Sequence, residues 1–337
     1  MTIFRNIIED NKFTPENVHR LETKLFFEGA KRRVALERYT VLLLLATYIA
    51  TYGVIGDSAA TVIGAMIIAP LMRPIMATTA ALVMGDMKRA GISFLIVVAS
   101  IAGAIGLALL VTEITVARAI SFETNSQITG RVAPRLIDLW AALGAGAAGA
   151  FAFSRDDVAD SLPGVAIAIA LVPPLCVVGI GLAEGEIDVA LGAMLLFTTN
   201  FLAILLAGGG VLALLGLSTA TMKNLEPHVR LRAFILIAIA LLLVTVPLGA
   251  TSIRIYNQNR LEREITQLAQ EWTEGSGYGI SEIEVDEDSV ELVINGSGER
   301  PLLTLLGNKL DASLDQPFVL SLVVLPSERE FYEDSSE

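Results

Sequence analysis

Four prolines and an arginine stand where an apolar sequence would otherwise be uninterrupted. They fall in Gly64-Ala-Met-Ile-Ile-Ala-Pro70-Leu-Met-Arg73-Pro74 and in Ala166-Ile-Ala-Ile-Ala-Leu-Val-Pro173-Pro174-Leu175. Proline removes a backbone donor and clashes with the preceding helical turn. In lipid, the carbonyls so freed must be satisfied by protein or by a wet cavity. Two such breaks suit the binding of a small solute or ion; the plainer account is kinking for helix packing. Arg73 lies between two of the prolines. A charge at the centre of a membrane span costs ~3 kcal/mol or more on insertion scales. It therefore either meets an anion or an acid, or snorkels to the headgroups.

Other polar residues lie around these breaks. Asp57-Ser58 precedes Pro70 by thirteen residues, counted from the aspartate, and Asp160-Ser161 precedes Pro173 by the same interval. Asp57 and Asp160 read first as helix N-caps and second as cation or proton contacts. Asn200, in Thr198-Thr199-Asn200, is the strongest polar contributor, because a buried amide needs several partners. The hydroxyls of Thr47, Thr51, Thr78 and Thr79, and of Tyr48 and Tyr52, read as packing groups or as bonds to their own helix backbone. One cysteine (Cys176) and two histidines (His19 and His228) cannot build a Cys/His metal cluster. HExxH, GxSxG and Walker motifs are absent. The expectation is a non-enzyme without a cofactor or a metal.

The elements that position these residues are membrane helices. Of 337 residues, 53% are hydrophobic and 18% charged, and the mean hydropathy is +0.63. Apolar runs reach the ~20 residues that span a bilayer, and the charged lead before the first run argues against a cleavable signal peptide. Seven spans are expected, at 39–56, 58–84, 90–112, 134–153, 162–182, 190–216 and 232–253. Lys31, Arg32, Arg33 and Arg38 before the first span, with Lys88 and Arg89 after the second, place the N-terminus in the cytoplasm. An odd span count then places the C-terminal domain on the extracytoplasmic side.

Residues 1–38 form a cytoplasmic or interfacial lead. Thr14-Pro15-Glu16 predicts a helix start there, with Val18, Leu21 and Leu25 on one face. From Arg254 onward there are 6 Lys/Arg and 18 Asp/Glu, which accounts for the whole net charge of −12. Residues 254–337 are therefore expected to be a separate acidic soluble domain, α+β in the order α-β-β-α-β, similar in order to BON-type modules. Nucleic acid is an unsuitable partner for so acidic a surface.

The Asp-Ser and Pro positions recur at an offset of 103. Shifted by that amount, spans one to three fall on spans four to six. The fold class is thus an α-helical polytopic membrane protein with two inverted three-span repeats, at about 39–112 and 134–216, and an extra span at 232–253. Inverted repeats with broken helices are the pattern of many secondary transporters.

The stretch Val62-Ile-Gly-Ala-Met-Ile-Ile-Ala-Pro-Leu-Met72 is followed by Pro74 and Gly85-Asp86. This stretch resembles the signature of family 389 of the domains of unknown function. Gly164-Val-Ala-Ile-Ala-Ile-Ala-Leu-Val-Pro-Pro-Leu175 resembles the second signature of that family. The resemblance covers about 40–216. It implies a multi-span protein of a bacterial or archaeal inner or plasma membrane, and it supplies no substrate. Arg73 departs from the family's pattern, where a small residue is usual, and Ala69 stands where serine is frequent.

The expected function is a transporter or channel for a small solute or ion. Its site would lie between spans two and five, shaped by Pro70, Arg73, Pro74, Pro173 and Pro174, with Asn200 contributing. The C-terminal domain would regulate or oligomerise a homo-oligomer in the lipid bilayer. The alternative is a non-transporting scaffold or sensor whose acidic domain binds a partner or an envelope component.

Overall fold

The computed structural model describes residues 9, 11–115, 120–155, 171–221, 227–285, 289–297, 301–313 and 319–326. The chain divides into two compact units, Met1–Gly249 and Ala250–Glu337.

The first unit is helical. Helix α1 (Pro15–Leu25) begins as its sequence requires: Thr14 Oγ1 accepts from the Asn17 amide, Pro15 occupies the first turn, and Val18, Leu21 and Leu25 are buried. Four longer apolar helices follow: α2 (Arg32–Ile55), α5 (Met87–Ile114), α7 (Leu136–Phe153) and α9 (Ile187–Leu214). Each is long and apolar enough to cross a membrane. Between α2 and α5 lie α3 (Ala59–Ile68) and α4 (Met72–Met84), bent by 50° at their junction. Counted as one span, the pair raises the described total from four to five, against the seven expected. The short helix α6 (Ser126–Val132) precedes α7, and α8 (Val172–Glu184) precedes α9. Helix α8 has 13 residues, too few to cross a ~30 Å hydrocarbon core at 1.5 Å per residue. The residues before it, 156–170, lie outside those described. Helices α10 (Leu217–Ala220) and α11 (Pro227–Thr273) complete the series, α11 running across the boundary between units.

Local contacts sort these elements into two ends. At one end, the Phe13 amide donates to Leu215 O at 2.9 Å, Arg89 pairs with Glu22 at 2.5 Å and Glu28 at 2.9 Å, and α10 packs on α1 and α4. At the opposite end, Asn125 Nδ2 donates to Val54 O at 2.8 Å, and α6 packs against α9. Gly192 makes that last contact possible, since a Cβ there would lie 2.1 Å from Val132 O. The turn after α4 therefore lies at one end of the bundle, and the turn after α8 at the other.

The second unit shows the element order α-β-β-α-β. After the last turns of α11 come β1 (Tyr278–Val285), β2 (Ser289–Gly296), α12 (Leu303–Ser313) and β3 (Val319–Pro326). The sheet order is β1-β2-β3, antiparallel between the first two and parallel between the last two. Val290, Leu292 and Ile294 alternate inward, as a strand covered on one face demands, and pack with Ile265, Ala269, Trp272, Leu306 and Leu310. Trp272 Nε1 donates to Leu302 O at 3.0 Å, which satisfies the indole N–H within this core.

Candidate functional site: two broken helices and a buried arginine

The first break is built by its prolines. Helix α3 ends where the Ala69 amide bonds Ala65 O at 3.1 Å. Pro70 has no N–H to offer the Met66 carbonyl, and Pro74 has none for Pro70 O, which accepts instead from the Arg73 amide at 3.1 Å. Pro70 is half-buried and Pro74 buried. At the second motif, α8 opens after Leu171 with Pro173 and Pro174 in its first turn, where a missing N–H costs nothing; whether a helix precedes it lies outside the described residues. Every residue from Val172 to Gly181 is buried. Helix α3 touches α8.

Among the described residues, Arg73 pairs with no acid. Its Nε donates to Leu25 O at 3.2 Å and its Nη2 to Phe26 O at 3.3 Å, while the guanidinium lies 4.0 Å above the Phe27 ring. The carbonyls at a helix C-terminus carry the negative end of its dipole and lack intrahelical donors. Arg73 thus caps α1 and ties it to the first break. Arg89 reinforces the tie through Glu22, Glu28 and the Phe26 ring, 4.7 Å from its centroid.

Asp57 also differs from its first reading. Ser58 is the N-cap of α3, its Oγ accepting from the Thr61 amide at 3.3 Å. Asp57 itself adopts a left-handed backbone, φ 47°, and its Oδ1 accepts from Ser126 Oγ at 2.7 Å and from the Gln127 amide at 3.1 Å. The Ser126 hydroxyl holds the Asp57 carboxyl below its ordinary pKa, helped by the Gln127 amide. Asp57 therefore anchors the start of α6. Asp160 lies outside the described residues. Asn200 is buried on α9. Tyr48 and Tyr52 are exposed and stack edge to face, 5.0 Å apart.

The threonines buried in the long apolar helices and α4 follow one rule, Thr47 excepted. Thr51, Thr78, Thr79, Thr112, Thr198 and Thr199 each donate to the carbonyl four residues back, at 2.8–2.9 Å. Thr47 is fully buried, yet its Oγ1 meets no hydrogen-bond partner among the described residues. Its backbone oxygen accepts from Thr51 Oγ1 at 2.8 Å and from Cys176 Sγ, on α8, at 3.7 Å.

Arg131 is half-buried because α6 folds down onto α9. Nη1 donates to Gln127 O at 2.5 Å and Gln127 Oε1 at 3.2 Å. Among the described residues, Arg131 makes no ion pair, and burial pushes its guanidinium pKa down. Sequence reading counted Arg131 only as a loop charge. The signal that could have drawn attention to it is Asn125-Ser126, a capping pair that starts a helix and so carries Arg131 back toward the bundle. Among the described residues, no group of three His, Cys, Asp or Glu is placed to hold a metal ion.

These features define a polytopic helical membrane protein with a broken helix pair at its core. Residues 66–206 match the family described as Domain of unknown function (DUF389), so the resemblance carried by the two motifs is borne out. The chain is also similar to Uncharacterized protein MJ0678 of Methanocaldococcus jannaschii, 32% identical over 214 residues, which cover 62% of this chain. The chain spans 63% of the length of that relative.

Proposed function

We propose that the chain is a transporter or channel for a small solute or ion, with its pathway where the two broken helices meet. The observation that carries this reading is the pair of 13-residue half-helices, α4 and α8, each beginning at a proline-containing break inside the bundle and leading to opposite ends. A scaffold has no need of two breaks that meet. Antiparallel half-helices are what inverted repeats supply, with their termini available to a ligand between them. In this reading, 39–112 and 134–216 are the repeats, 232–253 is a further span, and the end that carries α1 faces the cytoplasm. Pro70, Pro74, Pro173 and Pro174 shape the pathway and Asn200 lines it. Arg73 holds α1 beside the first break, and the second unit regulates or assembles a homo-oligomer.

The test is ion flux from purified full-length protein in liposomes, on a panel of anions, cations and protons, comparing wild type with Pro173→Ala. Saturable flux altered by that substitution is expected. Silence across the panel from folded, reconstituted protein would overturn ion transport and return attention to partners of the acidic second unit.

A further inference from the structure

The chain between α1 and α2, with the first turns of α2, forms an open groove of about 700 Å³. Its lining changes character along its length. Arg32 and Arg33 stand at one end, with Glu37 beside Arg33, and Leu36, Thr40 and Val41 line it farther along α2. From Arg32 to Val41 the helix rises about 13 Å at 1.5 Å per residue, so the groove leads from the charged flank of the span into the hydrocarbon. There it joins an exposed apolar face. Val41, Leu45, Tyr48 and Tyr52 recur at helical spacing, and each is at least 40% exposed.

The charge around the mouth is positive. Residues 28–38 carry four Lys/Arg and two Asp/Glu. Both acids are already held, Glu28 by Arg89 at 2.9 Å and Glu37 by Arg33 at 2.7 Å. Among the described residues, Lys31, Arg32 and Arg38 make no ion pair. The two ends of the groove together select its occupant. A free inorganic anion would leave the apolar wall uncovered. A second copy of the chain, docked symmetrically, would set its own Lys31 to Arg38 cluster against this one, and like charges repel. A phospholipid with an anionic headgroup answers both ends, its phosphate suiting guanidinium donors and its acyl carbons suiting Leu36 and Val41.

We propose that this groove binds one anionic phospholipid, with its phosphate at Arg32 and Arg33 and one acyl chain along Leu36, Thr40 and Val41. The proposal goes beyond the transport reading and needs only that α2, long and apolar enough to do so, crosses the bilayer. In the orientation of that reading the lipid belongs to the cytoplasmic leaflet, whose anionic lipids attract basic segments.

The experiment is native mass spectrometry of full-length protein from micelles, titrated with phosphatidylglycerol, with phosphatidylcholine, and with inorganic phosphate as the soluble arm. Wild type is expected to retain one phosphatidylglycerol in preference to phosphatidylcholine, undisturbed by phosphate. Arg32→Gln should weaken that binding about fivefold. Arg38→Gln, outside the groove, should leave it nearly unchanged. Thr40→Trp fills the groove from an exposed position without altering charge, and should weaken binding about tenfold or more. Thr40→Ala leaves the groove open and should bind as wild type does. Equal losses from Arg32→Gln and Arg38→Gln, with Thr40→Trp silent, would reveal general attraction to a basic surface and overturn the groove. Equal retention of the two lipids, or displacement by phosphate, would overturn an anionic phospholipid as occupant. A dimer mass that lipid does not displace and Thr40→Trp abolishes would make a second copy the occupant and overturn it as well. Lipid binding with no flux in the liposome assay would uphold the groove and overturn transport, and flux without lipid binding would do the reverse.

Discussion

Two hairpins in this protein share one plan and use it differently. Helix α4 covers Met72–Met84 and α8 covers Val172–Glu184; α5 covers Met87–Ile114 and α9 covers Ile187–Leu214. The bounds differ by 100 throughout. Each turn has a left-handed glycine, Gly85 at φ 75° and Gly185 at φ 81°, followed by an acid. The acid's amide reaches back five residues, from Asp86 to Ala81 O at 2.9 Å and from Glu186 to Gly181 O at 2.8 Å, the Schellman closure. The chemistry then diverges. The first half-helix carries its own cation, Arg73, and spends it on the C-terminus of α1. The second is apolar and buried through its first ten residues, and its cation arrives from outside, on α6, without an ion pair among the described residues. The same backbone device is tied to α1 at one end of the bundle and packed against α6 at the other.

That contrast can be broken by moving α6. Gly192→Ala would force a Cβ to within 2.1 Å of Val132 O, which backbone cannot absorb without a shift. A loss of about 3 kcal/mol is expected, measured as a fall in Tm in micelles. An unchanged Tm would mean that α6 does not depend on the close approach at Gly192. Arg73→Ala acts at the other end and should cost about 2 kcal/mol, because two hydrogen bonds from a charged group are lost. Its signature is faster tryptic cleavage at Lys31 to Arg33 as α1 comes loose. Cleavage at the wild-type rate would show that Arg89 holds α1 alone. The shared part of the plan is tested by Gly85→Ala and Gly185→Ala, each expected to cost about 1–2 kcal/mol for a side chain at positive φ. Unequal costs would show that the two turns are alike in shape only.

How far the sequence foretold this is clearest at particular residues. The start of α1 was legible because Thr14-Pro15-Glu16 is a local signal, and so was the turn at Gly85-Asp86. The break at Pro70 to Pro74 was legible because proline acts on its own backbone. Asp57, Asp160 and the leading prolines suggest an offset of 103, whereas helices α4 and α5 correspond to α8 and α9 at 100. At 100, Pro74 aligns with Pro174, while Pro70 and Pro173 have no proline counterparts, so one proline in each break belongs to the shared plan and the other does not. The partners of Arg73 were not legible, since Leu25 and Phe26 are distant in sequence and offer only backbone oxygens. Asp57 looked like the cap of its own helix, but Ser58 took that position and the left-handed turn aimed Asp57 at α6. Arg131 was missed because hydropathy cannot tell a surface loop from a short helix that folds back into the bundle.

The smallest expected effect concerns what keeps α6 in place. Asp57 accepts from Ser126 and Gln127 at the start of that helix, and the Ser126 bond depresses its pKa. A carboxyl depressed in the folded state keeps its charge to lower pH than the same group unfolded, so the unfolded chain binds more protons in that window. The stabilisation is fully present above the ordinary carboxyl value of about 3.9 and is lost as pH falls through the lower native value. Asp57→Asn should therefore lower Tm slightly at pH 7 and flatten the part of its decline that lies below about pH 4, so that variant and wild type converge in acid. The effect is small because Asn125 Oδ1 also accepts from the Gln127 and Ile128 amides, at 2.9 and 3.1 Å, and so caps α6 without Asp57. An acid limb identical in wild type and variant would assign α6 to Asn125 and Gly192 alone, and would reduce Asp57 to a turn residue.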